Sequence, residues 1–313
     1  MKKLTEGKKM FISVMAMFVV YGLVFITFDD FDRWAVSPLI DTGDWHLVLY
    51  SIGFMALLAL LLQGYARRMD QRINREQAVQ QNAMRRELTQ NIAHELKTPV
   101  ASVMGYMETL LDHPELPEAT QRQFLERSLT QTQRLTALLH DISTLNRMDY
   151  APDMIKIERV NLSNIVADIV QETELARQKR NMKLDCQLPG NIVIKGNTSL
   201  IYSIFRNLFD NSINYAGEGT TISLKAVELS NHWQFTFSDN GVGVGHEHLT
   251  RIFERFYRVD KGRSRSMGGT GLGLAIVKNA IHLHGGTVAA LERPNGGITF
   301  DFTLKKKCPP AEK

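Results

Sequence analysis

Apolar and polar positions divide the chain into three stretches of different rhythm: two long apolar runs, then helix-period stripes, then short alternating runs from about residue 155 onward. Residues 10–28 are almost wholly apolar. That is long enough for the ~20 residues a hydrocarbon core demands and longer than the apolar core of a secretory signal, so it predicts a retained membrane span. A second run, Leu47 to Leu62, is shorter, but Trp45, Tyr50 and Tyr65 extend it as interfacial aromatics do, giving an expected span of 47–65. A buried core helix is the alternative for this run. No breaker follows Tyr65 until Asp112-His-Pro-Glu-Leu-Pro117, which predicts one long helix leading into a turn. Before the turn, Leu88, Ile92, Leu96, Val100, Val103, Met107 and Leu110 recur at three- and four-residue steps; after it, Leu125, Leu129, Thr132, Leu135, Leu139, Ile142 and Leu145 do the same. Two such stripes joined by a short loop predict an antiparallel helical hairpin with an apolar seam wide enough to take a second pair, hence a dimeric four-helix bundle.

Within the first stripe, Asn91-Ile-Ala-His-Glu-Leu-Lys-Thr-Pro-Val100 carries polar chemistry on its other side. At ~100° per residue, His94 lies about 200° from both Ile92 and Leu96 and points away from the seam, whereas Thr98, four residues on, shares its face. Pro99 supplies no N–H and crowds the carbonyl of Glu95, so a bend just after the histidine is expected, at a cost of up to ~3 kcal/mol.

Beyond residue 155 the runs Ile192 to Lys195, Thr221 to Leu229, Trp233 to Ser238 and Gly297 to Leu304 read as strands interleaved with helices, a separate α/β unit. The helical stretch Leu200 to Tyr215 places Asn207 and Asn211 on one face, where two carboxamides could offer neutral oxygens to Mg2+ if a ligand brought the charge. Ser238-Asp-Asn-Gly-Val-Gly-Val-Gly245 puts Asp239 at a strand end before Gly241 and Gly243. A carboxylate there could accept from an exocyclic amine such as adenine's, with glycines admitting a flat base; a plain hairpin turn is the other reading. Gly268-Gly-Thr-Gly-Leu-Gly-Leu-Ala275 opens a helix running towards His284, offering free N–H groups to phosphate. It does not follow a strand, and the chain has no Gly-Lys-Ser/Thr, so neither dinucleotide fingerprint nor P-loop fits. Between these segments, Phe253, Phe256, Tyr257 and Arg258 lead into the basic run Lys261 to Arg265, either a lid that meets phosphate or a solvated basic loop.

Charge settles the orientation. Lys2, Lys3, Lys8 and Lys9 precede the first run, Arg67, Arg68, Arg72 and Arg75 follow the second, and the segment between is acidic, so both termini are expected in the cytoplasm. Over 313 residues the net charge is only +4, which by itself indicates no nucleic-acid binding. Cys186 and Cys308 stand far apart, outside any Cys-x-x-Cys setting, and indicate neither a disulfide framework nor a zinc site.

These segments, in this order, resemble the sensor histidine kinases of bacterial two-component systems. His94-Glu-Leu-Lys-Thr-Pro99 looks like the H-box, Asn207 to Asn211 the N-box, Asp239-x-Gly-x-Gly243 the G1-box, Phe253 to Tyr257 the F-box and Gly269-x-Gly-x-Gly273 the G2-box. The resemblance implies a dimerisation and histidine-phosphotransfer hairpin (85–150) followed by a GHKL ATP-binding α/β sandwich (155–305), the fold shared with DNA gyrase and heat-shock ATPases. It also implies ATP and Mg2+, a homodimer, and a response regulator as partner. His94 would be the phosphoacceptor, Glu95 its general base, and Thr98 the residue that positions water for dephosphorylating the regulator. Asp239 would read adenine, Asn207 and Asn211 would hold Mg2+, and Gly269, Thr270, Gly271, Leu272 and Gly273 would meet the triphosphate, with Gly241, Gly243, Phe253, Tyr257 and Arg258 completing the site.

The expected layout is a cytoplasmic tail (1–9), a first span (10–28), a short periplasmic loop (29–46), a second span (47–65), a signalling helix without a HAMP module (66–84), the two domains, and a tail (306–313), set in an inner membrane. Two points depart from the pattern: Asn214 stands where a basic residue is common, and too little chain separates Tyr65 from His94 for the usual coupling module. Rival readings are a phosphatase-dominant sensor and a catalytically silent membrane scaffold.

Overall fold

The computed structural model describes residues 45–259, 269–293 and 296–307. The expected first span, the loop to residue 44, the basic run Lys261 to Arg265 and Cys308 lie outside them. The chain divides into two compact units, Met1–Thr89 and Gln90–Lys313.

In the first unit the described chain is helical, as part of α1 (Trp45–Asp112). Ile52, Phe54, Leu57, Leu60 and Leu61 are all exposed. Among the described residues no helix is long and apolar enough to cross a membrane.

In the second unit α1 ends at Asp112 and α2 (Glu118–Tyr150) follows, the expected hairpin. Its turn is closed by Gln121, whose Nε2 donates to the carbonyls of Leu116 and Pro114. Tyr106 stacks on Phe124 with ring centroids 5.5 Å apart, holding the two helices together near the turn. The apolar stripe is distributed differently from expectation. Pro99, Ser128, Leu138 and Leu145 are buried, whereas Val100, Met107, Leu125, Leu129 and Leu139 are exposed. Two helices cover only one side of each other, so the remainder of a wide stripe stays uncovered in a single chain.

A 3-10 turn at Pro152–Met154 leads into the α/β unit. It contains β1 (Glu158–Asn161), α3 (Leu162–Glu172), α4 (Glu174–Lys179), β2 (Lys183–Gln187), β3 (Val193–Gly196), α5 (Thr198–Tyr215), β4 (Thr221–Glu228), β5 (His232–Asp239), α6 (Gly273–Leu283), β6 (Val288–Glu292) and β7 (Ile298–Lys305). The main sheet runs β2-β4-β5-β7-β6; β2 lies parallel to β4 and the other pairs are antiparallel, while β1 and β3 form a separate two-stranded ribbon. Strands β5 and β7 alternate as half-buried strands should: Trp233, Phe235 and Phe237, and Ile298, Phe300, Phe302 and Leu304, face inward. Phe205 and Phe209 of α5 meet them edge-on, with centroids 5.6 Å from Phe235 and 5.2 Å from Phe237. Each of these fully buried rings contributes about 1.5–3 kcal/mol by leaving water. Helices α3 and α6 flank α5, so three helices cover one face of the sheet. Leu138, Leu145 and Met148 of α2 join the same core, which seats the α/β unit against the hairpin of its own chain.

Candidate active site

The C-terminal end of β5, the inner face of α5 and the start of α6 converge on one cleft. It is lined by Asn207, Asn211, Asp239, Gly243, Tyr257, Arg258, Gly269, Thr270, Gly271 and Gly273, which were expected there, by Asn214, which stands at a position where a basic residue is common, and by Asp210, which was not expected. Gly241, Phe253 and Leu272 take supporting places instead. A Cβ at Gly241 would overlap the Ala216 backbone, so this glycine lets β5 pass close to the end of α5. Phe253 packs on Phe300, and Leu272 is fully buried as the N-cap residue of α6.

Asp239 is only 2% exposed. Burial of a bare carboxylate is costly, and it is offset here by two donors: Ser212 Oγ donates to Oδ2 at 2.6 Å and the Gly241 amide to Oδ1 at 3.1 Å. The carboxylate is thus fixed in orientation at the cleft wall. Ser212 was missed by the sequence reading; a serine at a helical position looks like surface until the tertiary fold turns it inward.

At the other end, α6 begins with Gly273 and has no acidic residue in its first turn, so its positive end faces the cleft uncompensated. Gly271 adopts φ +73°, a conformation that favours glycine, and its carbonyl accepts from the Phe256 amide at 2.8 Å. A Cβ on Gly273 would run into the Asn207 carboxamide oxygen. The Asn207 amide nitrogen is engaged by the Ser203 carbonyl at 2.8 Å, which turns that oxygen towards the start of α6. Among the described residues no three His, Cys, Asp or Glu side chains gather as metal ligands. A cation held here would use neutral carboxamide oxygens and anionic oxygens brought by a ligand, and the donor set of Asn207 and Asn211 fits that requirement.

Arg258 is the sole cation among the described residues lining the cleft. Its Nη2 donates to Glu95 at 2.9 Å and to the Gly269 carbonyl at 2.7 Å. Its Nε is buried with no partner, and it lies close to Gly271, whose added Cβ would sit 3.3 Å from it. An orphaned, buried, cationic donor beside a glycine loop fits an anionic oxygen of a ligand. Asn214 lines the cleft without charge. Glu95 is further approached by Arg134 at 3.7 Å.

His94 and Thr98 are exposed on α1, as the helical spacing predicts, and Thr98 Oγ1 donates to the His94 carbonyl at 3.4 Å. Pro99 lies buried inside a helix that continues past it to Asp112. Two further ties join the hairpin to the catalytic loops. Arg255 Nη2 grips both carboxylate oxygens of Asp149 at 2.9 and 2.7 Å. Thr270 Oγ1 donates to Asp141 at 2.9 Å and accepts from the Leu272 amide at 3.2 Å. Burial pushes the Asp141 carboxyl above the usual range, with the Thr270 bond acting in the opposite direction.

A sheet covered by three helices on one face, with a buried carboxylate and glycine loops at the cleft and a helical hairpin in front, defines the class of ATPase-fold catalytic domains joined to phosphoacceptor hairpins. The matching family profiles are the His Kinase A (phospho-acceptor) domain over residues 84–151 and the histidine kinase-, DNA gyrase B- and HSP90-like ATPase over 196–307. The chain belongs to the sensor histidine kinases.

It is 32% identical to the sensor-like histidine kinase SenX3 of Mycolicibacterium smegmatis over 222 residues, covering 71% of this chain and 58% of that one. It is likewise 32% identical to the sensor protein kinase WalK of Staphylococcus aureus over 222 residues, covering 70% of this chain and 53% of that one. The chain thus spans little more than half the length of these relatives. The fold is shared with the Acinetobacter baumannii histidine kinase AdeS (TM-score 0.56, 21% identity, 68% of this chain and 98% of that one). It is shared also with the histidine kinase ThkA crystallised in complex with the response regulator protein TrrA (TM-score 0.59, 19% identity, 75% of this chain and 65% of that one).

Proposed function

We propose that this protein is a membrane-anchored, ATP-dependent protein-histidine kinase that phosphorylates its own His94 and passes the phosphoryl group to an aspartate of a response regulator. The observation that carries this reading is the ion pair between Glu95, next to the exposed His94, and Arg258, which lines the cleft and points an unpartnered Nε at its glycine loop.

In the reaction, an imidazole nitrogen of His94 forms a bond to the γ-phosphorus of ATP while the bond from that phosphorus to the β,γ-bridging oxygen breaks. ADP leaves with the electron pair, and the imidazole proton passes to the Glu95 carboxylate. Asp239 accepts a hydrogen bond from the adenine amine, and the amides at the start of α6 together with Arg258 stabilise charge on the transferring group. Asn207 and Asn211 would hold Mg2+, which when bound neutralises charge between the phosphates. Thr98, on the His94 face, positions water for the reverse mode that strips phosphate from the regulator. A resting state weighted towards that mode is favoured by the ion pair itself, because Arg258 engages the carboxylate that must accept the proton.

Dimerisation is supported by the uncovered apolar face of Val100, Met104, Leu125 and Leu129, of the kind that soluble proteins rarely leave open. Membrane attachment is supported by the exposed apolar side chains between Ile52 and Leu61 and by the apolar run 10–28.

The test is incubation of the full-length chain with γ-labelled ATP and Mg2+. Acid-labile, base-stable label is expected on the wild type and absent from His94→Gln. A wild type that binds ATP yet takes up no label would leave the silent scaffold as the better reading.

A further inference from the structure

Nothing in a paired-helix enzyme dictates whether a catalytic unit serves the histidine of its own chain or of its partner. The contacts of Arg258 bear on this directly. One guanidinium, 6% exposed, reaches Glu95 of α1 at 2.9 Å and the Gly269 carbonyl of the phosphate-facing loop at 2.7 Å, all within one polypeptide. The third nitrogen, Nε, stands unpartnered beside Gly271.

From these contacts we infer that autophosphorylation runs within a single subunit: the cleft delivers its γ-phosphoryl group to the His94 of its own chain. This inference rests on the histidine kinase reading above and specifies the direction of its first step.

Three independent ties hold the same pairing. Arg258 bridges the proton acceptor to the glycine loop. Arg255 takes Asp149 through both carboxylate oxygens, at the C-terminal end of α2. Thr270, in the glycine loop itself, donates to Asp141 two turns earlier on the same helix. Around them Leu138, Leu145 and Met148 of α2 share a core with the catalytic unit, so the seat combines apolar area with directional bonds. The Pro114 to Pro117 turn that joins the two helices is closed by Gln121, whose Nε2 donates to the carbonyls of Leu116 and Pro114. Reaching a partner's histidine would require all three ties to break and re-form on the other chain. Reaching its own asks only that Arg258 exchange Glu95 for a phosphate oxygen, a move for which its free Nε already faces the correct loop.

The test uses full-length chains carrying two different affinity tags, with mixed pairs isolated through both tags. In the first arm, His94→Gln is paired with Asp239→Asn, so that one chain keeps the cleft and the other keeps the phosphoacceptor. With ATP held near the wild-type Kd, where the weakened Asp239→Asn cleft stays largely empty, transfer within a subunit predicts label no higher than in the Asp239→Asn homodimer, whereas transfer between subunits would label the Asp239→Asn chain at about half the wild-type level. In the second arm, wild type is paired with a chain carrying both substitutions. Here the inference predicts that the wild-type chain keeps its full label per chain, and loss of that label would overturn it. Gly271→Ala, a second cleft variant, replaces Asp239→Asn in a repeat, so that a defect peculiar to one substitution does not decide the result. The wild-type homodimer is the control that separates the two claims: if it takes up no label at all, the kinase reading fails, and if it is labelled while the first arm is labelled above the Asp239→Asn homodimer, only the intrasubunit direction fails.

Discussion

Individual side chains set the chemistry of the cleft, and Asp239 shows how completely a single carboxylate can be fixed. With Ser212 on one oxygen and the Gly241 amide on the other, the side chain is held in one orientation, which suits the proposed role of accepting from the adenine amine. Asparagine has the same shape but must turn an NH2 towards one of those donors or towards the adenine amine. Asp239→Asn is therefore expected to weaken ATP binding by about ten- to a hundredfold, the ~1.5–3 kcal/mol of a hydrogen bond to a charged group, without loss of the folded domain. Calorimetric titration with a non-hydrolysable ATP analogue measures it, and an unchanged affinity would remove Asp239 from the binding site. Asp239, Asn207, Asn211 and the glycines were legible in the chain because each breaks a local rule, an amide pair in a helix or a glycine cluster at its start. Ser212 and Asp210 break none. Ser212 finds its partner, Asp239, only when α5 is laid against β5.

Elements meet at places no local pattern marks, and His284 at the C-terminal end of α6 is the clearest case. The imidazole is fully buried, its Nδ1 bonded to the Ala280 carbonyl at 2.7 Å and its Nε2 accepting the Asn197 amide at 3.0 Å, where α5 begins. This pattern holds only for the neutral ring, and burial lowers the pKa below its ordinary 6.5, against the opposing Ala280 bond. The unfolded chain therefore binds the proton first, so the stability contributed is fully present above about pH 6.5 and is lost as pH falls through the folded value. Asp141 and Asp210, raised by burial, work in the other direction. A comparison with His284→Gln isolates the histidine: between pH 7.5 and 5.5 the wild-type melting temperature should fall further than that of the variant. Parallel slopes would show that the ring plays no such part.

Strands β5 and β7 were readable from their alternating phenylalanines. By contrast β1, β2 and β6 were not, since Lys183-Leu-Asp-Cys-Gln187 is an edge strand with mostly exposed side chains and β1 belongs to a short ribbon. The hairpin was legible as two helices, yet which part of each stripe faces inward was not, because periodicity marks a face without saying how many partners share it.

For the molecule as a whole, the order of domains could be read along the chain, but their seating could not: Glu95 and Arg258 are 163 residues apart, and nothing local connects them. That seating has two kinds of contact, of which only one responds to the ionic atmosphere. Arg255 and Asp149 are 29% and 26% exposed, so their attraction fades as the screening length contracts from ~10 Å at 0.1 M salt to ~3 Å at 1 M. The Leu138, Leu145 and Met148 contact is indifferent to charge. Losing a partly exposed pair of this kind removes on the order of 0.5–1 kcal/mol. High salt should therefore raise hydrogen exchange at the start of α6 by about two- to fivefold while β5 and β7 remain protected, and equal protection at both salt concentrations would show that the pair carries no weight. With the pair screened, the apolar seat of Leu138, Leu145 and Met148 would remain as a greased bearing, able to hold the catalytic half on the hairpin but less able to fix its angle.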